Sequence, residues 1–292
     1  VEDETIVLHE SACVLQYAQT VFEGLKAYRT KDGEIVCFRP DLNAARMAES
    51  CRRMRMPVFP EDKFVEAVIE TVKANADWVP PYGSGASLYI RPYLFGSDAV
   101  IGVKPATEYQ FRIFVTPVGP YFKGGVRPLT LRISDYDRAA PNGTGHIKAG
   151  LNYAMSLYAI VDAHEQGYDE NLYPDSKTRS YVEETGGANV LFVTKDGKVV
   201  TPKSDTILPS ITRRSLMELD RSRRSGANTK QPMSWEARTI RRITQMVKND
   251  REYRNMTMEI RQPEEGADQK MIVEGYASTF DEPYKLYSGE GW

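Results

Sequence analysis

Cysteine and histidine are scarce in this chain. Its 292 residues hold three of each. Cys13, Cys37 and Cys51 form no Cys-x-x-Cys pair, and an odd number in a chain this long does not suggest a disulfide framework. Reduced thiols and a cytoplasmic setting are therefore expected. His9, His146 and His164 lie too far apart in sequence to suggest a zinc site or a histidine-based triad. No metal is expected. An excess of one charge is missing too: 38 Lys and Arg face 40 Asp and Glu, for a net charge of −2. That balance gives no global pull toward nucleic acid or an anionic membrane. No apolar run approaches the roughly 20 residues of a membrane span. The opening VEDETIVLHE is acidic, without the apolar stretch of a secretory signal. It has no initiator Met, as expected of a chain that begins partway through a protein. What remains, at 41% apolar content, is the composition of one or two globular domains.

Residues 1–120 read as a small α/β domain. Two β runs, Val21–Tyr28 and Glu34–Phe38, flank Lys31-Asp32-Gly33 and predict a hairpin. Arg39-Pro40-Asp41 predicts a helix start, with proline in the first turn followed by an acid. Phe64, Ala67, Val68, Thr71 and Val72 recur at helical spacing in a second helix over about 61–76. Leu88–Pro92 and Tyr109–Val115 read as strands. PVGPYFKGGVRP, from Pro117 to Pro128, is the expected connection between domains, with 121–128 as the interdomain loop. A second domain then begins at Leu129. It holds a helix over 153–164, with Met155, Leu157, Tyr158 and Val161 as the expected inner face. A strand over 170–173 follows, then a hairpin turning at Thr194–Gly197, and a helix over 214–219.

Three segments of that domain carry the chemistry. DRAAPNGTGHIKAGLNY places Lys148 between glycine-bearing turns, where a lysine can press against a flat cofactor. YVEETGGANV places Glu184 at the end of an extended run. Gly186 and Gly187 follow, and they let backbone approach a planar ligand closely. Ser210-Ile211-Thr212-Arg213 opens a helix with hydroxyls at capping positions. Pyridoxal phosphate needs such parts: an amine for its aldehyde, an acid for its ring nitrogen, and backbone N–H donors with an arginine for its phosphate. Each residue also has a plainer role open to it. Lys148 could be a surface loop lysine, Glu184 a solvent-facing turn carboxylate, Ser210 a helix cap and Arg46 an exposed helix arginine.

Six stretches in order decide between these: FEGLKAYRTKDGEIVCFRPDLNAARM, SLYIRPYLFGSD, PVGPYFKGGV, RAAPNGTGHIKAGLNYA, YVEETGGANVLFV and TPKSDTILPSITRRSL. Over residues 1–219 they resemble the branched-chain amino-acid aminotransferases, class IV (fold type IV) pyridoxal-phosphate enzymes. The resemblance implies a mixed α/β (α+β) fold, a small N-terminal domain plus a larger pseudobarrel domain over 129–219, both shortened. It implies Lys148 as the Schiff-base lysine and Glu184 on the pyridine nitrogen. Tyr153 would lie by the cofactor's phenolic oxygen and Arg46 on its phosphate. Ile211 and Thr212 would cradle the phosphate, with Leu208 beside the ring and Gly187 close to it. Tyr17, Phe22, Tyr89, Arg91 and Tyr121 would line the substrate pocket. The implied activity is amino transfer from leucine, isoleucine or valine to 2-oxoglutarate in a homodimer. D-amino-acid aminotransferase and aminodeoxychorismate lyase share the scaffold, and FEGLKAY with GGVRP favours the branched-chain group.

Past Leu219 the match ends. Residues 220–255 read as a basic linker and helix. Residues 251–292, with REYRNMTMEIRQ and MIVEGYASTFDEPYKLY, resemble the opening of phage prohead (HK97-type) serine proteases. They are expected to form a separate β-containing extension without protease activity, as in an aminotransferase fragment joined to a protease beginning. The competing reading of another class is a non-catalytic scaffold or phage-assembly protein in which this extension is the working part.

Overall fold

The computed structural model describes residues 5–119, 127–224, 260–261 and 272–276. Tyr121 and most of the segment beyond Arg224 lie outside the described residues. The chain divides into two compact units. One comprises residues 1–120 with 143–155, and the other 121–142 with 156–292.

In the first unit a short helix α1 (Cys13–Tyr17) precedes β1 (Thr20–Phe22), β2 (Leu25–Arg29) and β3 (Ile35–Cys37). Helices α2 (Pro40–Arg53) and α3 (Glu61–Ala74) follow, then β4 (Ser87–Gly96) and β5 (Tyr109–Val118). β2 and β3 form the expected hairpin, with Gly33 at φ 83° in its turn. That left-handed conformation is open to glycine without a Cβ clash. The long strand β4 organises the sheet. It pairs antiparallel with β5 along its whole length, with β2 near its start and with β1 near its end. Helix α2 begins at Pro40 with Asp41 in its first turn, as the sequence predicts. The helices present Ala44, Met47, Cys51, Phe64, Val68 and Val72 to Val21, Leu25, Leu88 and Ile90 of the sheet. Burying each large aliphatic or aromatic side chain contributes about 1.5–3 kcal/mol.

Ile147 and Ala149 belong to this same core. The Lys148 loop was expected in the second domain, but it packs with the first. Ala149 bridges to Val21, the Phe22 N–H donates to the Lys148 carbonyl at 3.0 Å, and Ser50 Oγ accepts the Lys148 N–H at 3.1 Å. The loop thus adds a rung beside β1, a long-range pairing that local sequence does not announce.

In the second unit β6 (Pro128–Ile133) runs parallel to β7 (Glu170–Pro174), which pairs antiparallel with β8 (Val182–Thr185). Helix α4 (Gly150–Glu165) lies between β6 and β7 in sequence, the long crossover that parallel strands require. Its expected inner face is wrong: Met155, Leu157, Tyr158 and Val161 are all more than half exposed. Ala159 and Ala163 are buried instead, and Asn171 of β7 donates to the Ala159 carbonyl at 2.7 Å. Small residues let the helix approach the sheet closely, and hydropathy alone gives them little weight. The hairpin β9 (Phe192–Val193) and β10 (Val199–Val200) turns at Gly197, φ 78°.

Helix α5 (Ile211–Arg224) continues five residues beyond the expected end at Leu219. Arginine, frequent here, is a good helix former. Two described strands lie in the C-terminal stretch, β11 (Ile260–Arg261) and β12 (Ile272–Tyr276). β12 pairs antiparallel along β6, so this part joins the second unit's sheet rather than standing apart. Among the described residues no helix is long and apolar enough to cross a membrane.

Candidate active site

The first unit gathers an aromatic cluster around a buried amine. Lys148 is only 3% exposed, and its Nζ lies 3.0 Å from Tyr153 Oη. No carboxylate pairs with it among the described residues. Leaving water without a counter-ion is costly for an ammonium group. The Nζ sits 5.1 Å from the Phe22 ring centroid and 5.4 Å from that of Tyr153. Those two rings are 5.0 Å apart and tilted. Arg91 lies with its guanidinium 4.5 Å from the Phe22 centroid and donates to Tyr89 Oη at 2.8 and 3.1 Å. Phe22, Tyr89, Arg91, Lys148 and Tyr153 are therefore brought together.

Local sequence explains why the lysine is held. Asn152, 2% exposed, reaches back from the start of α4 and donates to the Thr144 and Ile147 carbonyls at 2.7 and 2.9 Å. Thr144 Oγ1 returns a bond to Asn152 Oδ1 at 2.7 Å. This clamp closes the turn that ends at Lys148. A Cβ on Gly150 would stand 3.1 Å from Thr20 Cγ2, so the glycine lets the loop lie tight against β1.

Tyr17 is not part of the described cluster contacts. It is partly exposed, and its hydroxyl accepts the Gly102 N–H at 2.8 Å. Tyr121 lies outside the described residues. Arg46, expected on a phosphate, is buried in a two-point ion pair. Its Nε and Nη2 each donate to Glu23 at 2.8 Å.

The second unit holds a buried carboxylate. Glu184, on β8, is 2% exposed. The Thr185–Ala188 turn explains its surroundings: Thr185 N–H donates to the Ala188 carbonyl, and Ala188 N–H donates to Thr185 Oγ1. Gly186 and Gly187 round that turn and bring Asn189 back opposite Glu184. Asn189 Nδ2 donates to Glu184 Oε2 at 2.9 Å and to the Leu208 carbonyl at 3.2 Å. Glu184 Oε1 accepts no hydrogen bond among the described residues, and Arg138 Nε stands 3.6 Å from it. Burial pushes the carboxyl up to about 7, with Arg138 opposing that rise and Glu183 adding to it. The group is an acceptor that an N–H donor would complete. Ser210 caps α5, its Oγ accepting the Arg213 N–H at 3.0 Å, so the plainer reading of that serine holds. Ile211 is buried, and Leu208 and Thr212 are half-buried beside the cap.

Four residues escaped the sequence reading. Glu23 stood in the quoted FEGLKAY stretch, and a carboxylate between Val21, Phe22 and Leu25 is itself a signal that burial there needs a partner. Arg138, in RAAPNG, gave no local hint. Asn189 sits five residues after Glu184 across the double glycine, a return-turn spacing. Glu183, beside Glu184, is also buried; it accepts from Ser204 Oγ at 2.7 Å and from Thr206 Oγ1, and so ties β8 to the segment leading to Leu208.

Known proteins resemble the chain in sequence and fold. The Amino-transferase class IV family pattern matches residues 20–235. The branched-chain-amino-acid aminotransferase of Haemophilus influenzae is 52% identical over 226 residues, covering 76% of this chain and 66% of that protein. The Helicobacter pylori protein of the same name is 49% identical over 221 residues, covering 75% and 65%. The chain thus spans just under two thirds of the length of these curated relatives. Among solved structures, the T.th. branched-chain amino acid aminotransferase with pyridoxamine 5'-phosphate superposes with a TM-score of 0.66 at 29% identity, covering 76% of this chain and 71% of that one. The Thermoproteus uzoniensis branched-chain aminotransferase with norvaline gives 0.65 at 28%, covering 77% and 72%. With its lysine clamp, its buried acid and a match over most of its length, the chain belongs to the class IV aminotransferases.

Proposed function

We propose that the chain binds pyridoxal 5'-phosphate and transfers the amino group of branched-chain L-amino acids to a 2-oxo acid such as 2-oxoglutarate. One observation carries this reading: Lys148 is a buried amine without a described counter-ion, held 3.0 Å from a phenol between aromatic rings. The residues suit the cofactor. Glu184 Oε1 is a buried acceptor without a described hydrogen bond, which a ring N–H would supply. When bound, pyridoxal phosphate supplies an aldehyde for amine exchange and a conjugated ring that takes up the electrons left by an α-proton.

The protein's part is binding, orientation and proton transfer. Lys148 Nζ is the group that accepts and returns the α-proton. Tyr153 Oη, bonded to that Nζ, orients it. Glu184 would hold the ring nitrogen's proton, with Asn189 fixing the carboxylate. Leu208 and Gly187 would lie by the ring. Ile211 and Thr212, at the capped start of α5, would turn backbone N–H groups to the phosphate, and Arg46 would add a charged donor. Phe22 and Tyr89 wall off an aliphatic side chain. Arg91, fixed on both rings, would shape that wall, while Tyr17 stands outside the cluster and Tyr121 outside the described residues. Work in a homodimer and in the cytoplasm follows from the same family reading. The likeness of residues 251–292 to a prohead protease opening adds no activity to this proposal.

The test is an absorbance scan with pyridoxal phosphate before and after dialysis, then a substrate panel. A retained visible band that Lys148→Ala abolishes is expected, with turnover of L-leucine, L-isoleucine and L-valine. A band unaffected by Lys148→Ala would overturn the assignment of the lysine. Turnover of D-alanine without L-leucine would overturn the substrate class.

A further inference from the structure

We propose that Glu23 is a positioning residue, one that aims the Arg46 guanidinium at the phosphate of the cofactor. This rests on the pyridoxal phosphate reading above. Glu23 is 0% exposed, and both of its oxygens are used. Oε1 accepts from Arg46 Nε at 2.8 Å. Oε2 accepts from Arg46 Nη2 at 2.8 Å, from Asn43 Nδ2 at 2.8 Å and from the Gly24 N–H at 3.3 Å. Asn43 and Arg46 stand three residues apart on α2, hence on one face. The backbone of Glu23 is fixed as well, its N–H donating to the Pro92 carbonyl at 2.8 Å.

Two physical points make this more than a core contact. First, a fully buried ion pair adds little net stability, because desolvation of both charges offsets their attraction, and well-packed apolar residues commonly do as well. Two charges in this core therefore point to a use for the guanidinium beyond packing. Second, a fork held at two nitrogens cannot rotate about its own bonds. The pair as a whole is neutral. Its contribution to an anion then lies in the direction of its donors rather than in net charge. Glu23 also adjoins Phe22, whose ring lies against Tyr153, so one short segment carries both the wall by the lysine and the brace for the arginine.

The test compares pyridoxal phosphate with pyridoxal, which lacks the phosphate, by equilibrium dialysis against the full chain, Glu23→Gln, Arg46→Met and the double variant Glu23→Met/Arg46→Met. Glu23→Gln sets an amide N–H against an N–H donor and frees the fork to swing. It should weaken pyridoxal phosphate about tenfold, the scale of one charge-assisted hydrogen bond, and leave pyridoxal unchanged. Arg46→Met and the double variant should lose the same preference for the phosphate form. The double variant leaves no buried charge unpaired and stands in if Arg46→Met fails to fold: a preference it keeps overturns the proposal, because Arg46 then has no part in holding the phosphate. Glu23→Gln binding pyridoxal phosphate as tightly as the parent, or more tightly, shows that Arg46 needs no brace and overturns the proposal alone. Equal loss of both ligands assigns Glu23 to the fold and also overturns it. A parent chain that binds pyridoxal but shows no preference for its phosphate overturns it too. A parent that binds neither ligand overturns the reading of the site and this inference with it.

Discussion

Removing the charge of Glu184 should make the unliganded protein less sensitive to pH. Burial raises this carboxyl from an ordinary 4.5 to about 7. In the unfolded chain it ionises near its ordinary value. Between the two the folded state holds a proton that the unfolded state has released. The stabilisation is therefore fully present below the unfolded value and is lost as pH rises through the folded one. At about 1.4 kcal/mol per pH unit, the loss comes to about 3 kcal/mol across that window. The assay is urea unfolding of the cofactor-free protein and of Glu184→Gln from about pH 4.5 to about pH 8. Glutamine does not titrate. The free-energy difference, parent minus variant, should fall by about 3 kcal/mol as pH rises. Any constant cost of leaving Arg138 beside a neutral amide drops out of that comparison. A difference that stays flat, or that grows with pH, would refute the reasoning. With pyridoxal phosphate bound as proposed, a ring N–H shared with Glu184 would favour the ionised carboxylate, so the slope should flatten. The acid is thus expected to cost stability at neutral pH in the empty protein, a trade common where binding groups are buried ahead of their ligand.

Three other predictions rest on packing and burial. Gly96→Ala would set a Cβ 2.7 Å from Ala106 Cβ and 3.2 Å from Cys13 Cβ, neither of which can swing away. It should cost about 2 kcal/mol, read as a lowered urea midpoint at unchanged slope. Ser210→Ala removes the cap of α5 and should cost about 1 kcal/mol in the same assay. Burial pushes the thiols of Cys37 and Cys51 up to about 11. At about pH 8 roughly a thousandth of each is thiolate, so iodoacetamide should leave both unlabelled by mass spectrometry until urea is added.

The parts legible in sequence are those fixed by neighbours along the chain. Lys31-Asp32-Gly33 announced a hairpin because its third residue needs a positive φ. Pro40 and Asp41 announced α2, and Ser210 announced α5 through the cap it forms. Lys148 and Glu184 stood out by their glycines, which the structure explains as a tight loop and a return turn. The illegible parts depend on distant residues. The inner face of α4 was misassigned because its packing uses alanines and an asparagine contact rather than its large apolar side chains. The Lys148 loop was assigned to the wrong unit because its partners, Val21, Phe22 and Ser50, lie about a hundred residues earlier. Arg138 carried no pattern of its own, and Glu23 only that of a carboxylate among apolar neighbours. Each gains its meaning from one partner that only the fold supplies.

The rung that ties Lys148 to β1 also bears on how the protein reaches its folded state. The bond from the Lys148 N–H to Ser50 closes a loop of 98 residues. Closing so long a loop costs about 4 kcal/mol of chain entropy before any contact repays it. The hairpin of β2 and β3 and the pair α2 and α3 draw on nearby residues and can assemble first. The amine is then one of the last groups to leave water, and it does so only after most of the first unit's sheet exists to receive it. A pulse of an amine-reactive reagent during refolding should find Lys148 labelled until the final phase. The reactive centre would therefore be sealed by the closing step of folding rather than by an early nucleus.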